Sequence, residues 1–196
     1  MHAFKLFALV ILLGCAGALG AAGADQTVTL SGVHICCGSC VDGINETVAK
    51  VPGVKATASQ DAGTIVLTAA DKATLQKTVD ALVAAGFYGK SSDADIKVNA
   101  PSGATGDKAQ AMQVTGVHLC CDECVTRLDA AVTKVAGVKS CDASANAALF
   151  TVKGDFKPGD VFVAMNGAGF SGKVSPPAPP APSPAPAPAP SPAPSK

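Results

Sequence analysis

The sequence has no tryptophan and a single tyrosine, and aromatic residues make up only 4% of it. Any core must therefore be built mainly from Val, Leu, Ile and Ala, and small cores of that kind are marginally stable. An excess of either charge is also missing. Fifteen basic residues balance fifteen acidic ones, and the basic residues form no run. That leaves no electrostatic footprint for nucleic acid and no reason to expect an anionic partner. Beyond the N-terminal segment, no apolar stretch is long enough to cross a bilayer. Paired carboxylates, a Ser/His/Asp set and a Gly-rich phosphate loop are all missing, so the chain reads as a binding protein, not an enzyme.

Cysteine is what the sequence does have. A nine-residue stretch occurs twice: Gly32-Val33-His34-Ile35-Cys36-Cys37-Gly38-Ser39-Cys40 and Gly116-Val117-His118-Leu119-Cys120-Cys121-Asp122-Glu123-Cys124. Together the two copies hold six of the eight cysteines and two of the three histidines.

The N-terminus has the pattern of a processing signal. Lys5 supplies a weak positive charge, Phe4 to Leu13 is nearly all apolar, and Ala22-Gly23-Ala24 fits a small-residue cleavage site before Asp25. The expectation is an exported protein, periplasmic or secreted, with residues 1–24 removed. Leu12-Leu13-Gly14-Cys15 resembles a lipobox, and only lipidation of Cys15 would tether the protein to a membrane. Removal of Cys15 leaves an odd number of cysteines, so disulfides within one chain cannot use them all.

Residues 25–98 read as one unit. Val28, Leu30 and Val33 alternate with polar neighbours as in a strand, and Val41, Ile44, Val48 and Val51 share one helical face that ends at Pro52-Gly53. Val54 to Gln60 and Thr64 to Thr68 flank a turn at Asp61-Ala62-Gly63. Asp71 is placed to cap a second helix whose inward residues are Leu75, Val79, Leu82 and Val83, and Gly86 ends it. A last short strand follows Phe87.

Residues 99–110 have the composition of a flexible linker. The order then repeats over residues 111–174. Met112 to Val117 is a strand, and Val125, Leu128, Val132 and Val135 form the helical face. Leu149 to Val152 is another strand, Pro158 opens a helix, and Gly169-Phe170-Ser171-Gly172-Lys173 echoes Gly86-Phe87-Tyr88-Gly89-Lys90. The implied fold class is α+β, two tandem βαββαβ units. Residues 175–196 are Pro, Ala and Ser with a final lysine and read as a disordered spacer.

Each Cys-x-x-Cys falls where a strand runs into a helix. Two thiols at that spacing can share one ion, and the helix N-terminus favours thiolate over thiol. Thiolates with few oxygen ligands select soft or borderline ions, Cu(I) or Zn(II) foremost, with Hg(II) and Cd(II) as further members of the class.

The βαββαβ order with Cys-x-x-Cys before the first helix resembles the heavy-metal-associated (HMA) domain. That family includes small copper chaperones, mercury-binding proteins and modules of metal-transporting P-type ATPases. The resemblance implies a ferredoxin-like sandwich with metal held by Cys37 and Cys40, and by Cys121 and Cys124. It also implies ligand exchange with a docked metal-donor or metal-acceptor protein. The sequence departs from the family pattern in the loop, which is longer, lacks the usual methionine, and adds Cys36 and Cys120 as well as His34 and His118. A third ligand in each copy is then Cys36 or His34, and Cys120 or His118. The readings that compete with ligation are inward packing for Cys36 and Cys120 and a strand-end surface role for the histidines. Cys141 reads as a packing residue in a strand. At the level of function, the alternative is an extracytoplasmic thiol–disulfide redox protein using the same cysteines, and a third reading locks them as structural disulfides. Whether the two copies act independently or pinch one ion between them is open.

Overall fold

The structure is a computed structural model and describes residues 24–176. All but the last residue of the expected leader lies outside that range, as does nearly all of the Pro-rich tail. The described chain is a mixed α/β fold with two four-stranded antiparallel sheets and four helices, consistent with a ferredoxin-like arrangement. In order, the first half contains β1 (Gln26–Ser31), α1 (Gly38–Ala49), β2 (Val54–Ser59), β3 (Thr64–Ala69), α2 (Lys72–Ala84) and β4 (Lys90–Ser91). The second contains β5 (Ala109–Thr115), α3 (Asp122–Val132), β6 (Val138–Cys141), β7 (Leu149–Phe156), α4 (Pro158–Gly167) and β8 (Lys173–Val174). The sheet orders are β2-β3-β1-β4 and β6-β7-β5-β8, the same pattern twice. No helix among the described residues is long and apolar enough to cross a membrane.

Local chemistry accounts for most boundaries. Val28 and Leu30 of β1 are buried while Thr27 points outward, where its hydroxyl meets that of Thr68 on β3 at 3.2 Å. Helix α1 buries Cys40, Ile44, Thr47 and Val48 and gives way to the turn at Pro52-Gly53. Helix α2 begins where the Asp71 carboxylate accepts a bond from the Thr74 backbone N–H at 2.8 Å. That bond, with one from the Thr74 hydroxyl, holds the Asp71 carboxyl below its usual range. Pro158 takes the first turn of α4, whose Val161, Phe162 and Met165 face inward.

Several expected boundaries move. Val33 is buried but follows β1, because Gly32 turns the chain at φ 73° and sends it into the cysteine loop. Val51 and Val135 lie beyond the ends of their helices. Strand β5 spans Ala109–Thr115 instead of Met112 to Val117, since Gly116 repeats the Gly32 turn and Ala109 pairs with Phe156. Strand β7 runs on to Phe156, four residues past the expected end, through a register shift opposite β6 at Gly154.

The two halves dock through equivalent loops. Phe87 and Phe170 form an antiparallel bridge across the junction. Tyr88 N–H donates to Gly169 C=O at 3.0 Å, and Ser171 N–H donates to Gly86 C=O at 2.9 Å. Phe87 and Phe170 are 3% and 2% exposed. Burying a ring of that size contributes about 2 kcal/mol, so the pair is a substantial part of what holds the junction. Only glycine fits at the two crossing points. Gly86 has φ 98° and a Cβ there would lie 2.3 Å from His118 N, while Gly169 has φ 93° and a Cβ would lie 2.4 Å from His34 N. Each half thus lays its α2 or α4 exit loop on the backbone leading into the other half's cysteines.

A comparison of two glycines tests this docking. Gly53 also sits at positive φ, 83°, but a Cβ there would meet nothing within 4 Å. Gly53→Ala should cost about 1 kcal/mol from backbone strain alone. Gly169→Ala adds the clash with His34 and should lower the denaturant midpoint distinctly more. Equal midpoint losses in the two variants would contradict the docked arrangement.

Candidate metal centre

The docking brings both cysteine loops to one place. Cys37 and Cys121 occupy the N-cap positions of α1 and α3 in extended conformation, and neither helix has a side-chain cap. Cys40 and Cys124 lie one turn further on and are fully buried, while Cys36, Cys37, Cys120 and Cys121 are half-buried. No disulfide joins the described cysteines.

The six Sγ atoms form one cluster. Within the first half, Cys36 is 3.8 Å from Cys40, and Cys37 is 4.0 Å from Cys40. The second half matches, with Cys120 3.6 Å and Cys121 3.7 Å from Cys124. Four contacts between halves are as short or shorter. Cys36 lies 3.4 Å from Cys121 and 3.5 Å from Cys124, and Cys120 lies 3.6 Å from Cys37 and 3.4 Å from Cys40. Cys37–Cys121 and Cys40–Cys124 are each 4.0 Å. The pattern has an approximate two-fold axis that exchanges the halves. The sequence left open whether the two copies act separately or together, and the structure joins them in one cluster.

The histidines cross over. His34 is buried and stacks against Phe170 of the other half, ring centroids 4.7 Å apart, while half-buried His118 stacks against Phe87 at 4.6 Å. In both, Nε2 is buried without a hydrogen-bond partner. A ring nitrogen of His34 lies within 4.8 Å of the Cys36 and Cys124 sulfurs. Burial pushes the His34 imidazole below its ordinary range, which keeps a nitrogen lone pair available at neutral pH. The competing surface reading for His34 does not hold, because the other half's loop covers it.

The cluster cannot hold six thiolates unaided. Two like charges 4 Å apart repel by about 1 kcal/mol in bulk water and about 4 kcal/mol at an effective dielectric near 20. The protons settle accordingly. Hydrogen bonding from the Cys124 thiol, helped by His118, drives Cys40 far below the usual thiol range. Cys124, whose proton serves Cys40, is raised well above it. Burial raises Cys36 and Cys120. Cys121 falls to about 7, drawn down by the backbone N–H groups of Cys124 and Glu123 at the start of α3. The metal-free cluster therefore favours negative charge at Cys40 and Cys121 and protons at Cys36, Cys120 and Cys124. A soft cation would replace the shared protons, and the donor set of sulfur and imidazole without carboxylate suits one.

Cys141 ends β6 outside the cluster. It is half-buried against the core, and burial raises its thiol. The sequence reading missed the role of Phe87 and Phe170 as platforms for the opposite histidines. The repeated Gly-Phe after each second helix was the available signal.

No protein-family model matches the chain, and no curated protein matches it. Among solved structures, the solution structure of the N-terminal soluble domains of Bacillus subtilis CopA aligns over 78% of this chain and 95% of that one. The alignment has 16% identity and a TM-score of 0.29, a level of likeness that fixes neither the family nor the function.

The short contacts between halves lead to a direct test. Mild oxidation of the reduced, metal-free protein should yield disulfides joining a peptide that contains Cys36, Cys37 and Cys40 to one that contains Cys120, Cys121 and Cys124. Cys141 should stay reduced. Mass mapping that finds only bridges within one half would contradict the shared cluster.

Proposed function

We propose that the chain is an exported soft-metal-binding protein of the copper or zinc class, which carries or buffers its ion through Cys37, Cys40, Cys121 and Cys124 with help from Cys36, Cys120, His34 and His118. The observation that carries this reading is the convergence of six unbridged sulfurs from two equivalent loops. A packed core has no use for that many thiols in contact, whereas a soft cation neutralises all of them at once. The two unpartnered imidazole nitrogens beside the sulfurs add to the case.

In this reading the two halves are tandem ferredoxin-like units related to the HMA domain, bounded near residues 25–98 and 111–174. They act by binding, with no turnover. The family resemblance rests on the sequence pattern Cys-x-x-Cys at the strand-to-helix junction. The sulfurs face one another across the docked halves, which favours holding metal. Handover to a donor or acceptor protein would proceed through half-buried Cys36, Cys37, Cys120 and Cys121, or by parting the halves. The N-terminal signal pattern supports export to a periplasmic or extracellular compartment.

A second reading has its own support. Cys36–Cys121 and Cys40–Cys120 contacts of 3.4 Å, with a depressed Cys40 thiol, are what a thiol–disulfide redox protein would need.

Residues 25–196 purified without oxygen and offered Cu(I) or Zn(II) should retain metal through desalting, and Cys37→Ser with Cys121→Ser should abolish most of that retention. If no metal stays bound while a dithiol readily cycles the cysteines, the redox reading stands in its place.

A further inference from the structure

We propose that the six sulfurs hold a single tetranuclear Cu(I)–thiolate cluster shared by both halves. This rests on the soft-metal reading above and specifies the ion and its number.

The inference comes from the shape of the sulfur set. Each sulfur has close neighbours at 3.4–4.0 Å, and the vicinal pairs Cys36–Cys37 and Cys120–Cys121 lie within 4.8 Å. No thiol hydrogen bond joins Cys36 to Cys120, Cys37 to Cys124, or Cys40 to Cys121. Every sulfur belongs to one of these pairs and to no other. Six points in which each has a single opposite number have the connectivity of an octahedron.

An octahedron decides between coordination geometries. No four of its vertices are all mutual neighbours, because any four include an opposite pair. The bonded sulfur network therefore contains no set of four sulfurs all joined to one another, as a tetrahedral zinc centre would want. They do offer triangles. With a metal–sulfur bond of about 2.3 Å, as in zinc thiolates, planar three-coordination wants sulfurs about 4.0 Å apart, close to the distances present. Three such triangles are Cys36–Cys37–Cys121, Cys37–Cys40–Cys120 and Cys120–Cys121–Cys124. Cys36–Cys40–Cys124, with sides of 3.8, 3.5 and 4.0 Å, completes the set.

Across these four triangles every sulfur appears twice. Four three-coordinate ions would thus be joined by six thiolates, each bridging two ions, with no sulfur left over and with the His34 and His118 rings outside the bridging set. Cu(I) is the soft ion that accepts three thiolates. Charge agrees as well. Four Cu(I) offset four of the six thiolate charges, and the N-termini of α1 and α3 beside Cys37 and Cys121 favour the remaining negative charge. Binding releases the thiol protons to solvent, and no oxidation or reduction is involved. The arrangement also gives Cys36 and Cys120 the same standing as the Cys-x-x-Cys pairs, since each lies at two of the triangles.

The test is anaerobic titration of reduced residues 25–196 with Cu(I) in the presence of a competing chelator. It would be followed by native mass spectrometry and copper X-ray absorption. The expected result is a plateau at about four copper ions per chain, reached with little population of intermediate loadings, and a short copper–copper distance. Any other plateau, or no short copper–copper distance, overturns the cluster. Two isolated ions per chain would do so while leaving the soft-metal reading intact, and a chain that retains no copper would remove both. Cys36→Ser gives a second measurement, because that sulfur bridges two ions. A variant that folds, as judged by circular dichroism, should lose the four-copper species. Full retention of four ions with an unchanged copper–copper distance would also overturn the proposal.

Discussion

Six sulfur atoms in mutual contact cannot all be charged unless cations lie among them, and the rest of the molecule is arranged around that constraint. The sheets and helices of each half bring three sulfurs to a helix start. The crossing of the Gly86 and Gly169 loops then presses one set against the other. Without metal, the cluster settles into a hydrogen-bonded compromise in which neighbours share protons with Cys40. The electrostatic conflict among the sulfurs is what a bound soft cation would relieve.

The fold around this cluster is economical. Each half has few large side chains, yet Phe87 and Phe170 are placed at the junction and not only in the interior of a half. Each serves twice, as apolar burial between the halves and as the surface on which the opposite histidine lies. The histidines are thereby oriented by the half to which they do not belong. That interdependence makes the junction part of the site and not merely a support for it.

Much of the secondary structure was legible because it rests on local chemistry. The Asp71 cap, the Pro158 start and the inward faces of α1 to α3 follow from spacing and side-chain type over a few residues. Boundaries moved at the Gly32 and Gly116 turns and where distant chain segments intervene, as at the start of β5, which is set by pairing with Phe156. The site was half legible in the same sense. The cysteines and histidines stood out by repetition, and their conversion into one centre did not. That conversion depends on backbone approaches of the loops after α2 and α4, and no periodicity encodes it. The extra cysteines at 36 and 120 made sense only once the other half's sulfurs were seen beside them.

The covalent joining of the two halves has a further consequence. A centre assembled from two separate copies of such a unit would fall apart as the protein was diluted, since its formation would depend on the square of the protomer concentration. Here residues 92–108 tie β4 of one half to β5 of the other, so assembly is unimolecular. The same chain can close its sulfurs at any abundance. Any capacity for metal in the proposed role would then scale with the number of molecules present, with no threshold below which it vanishes.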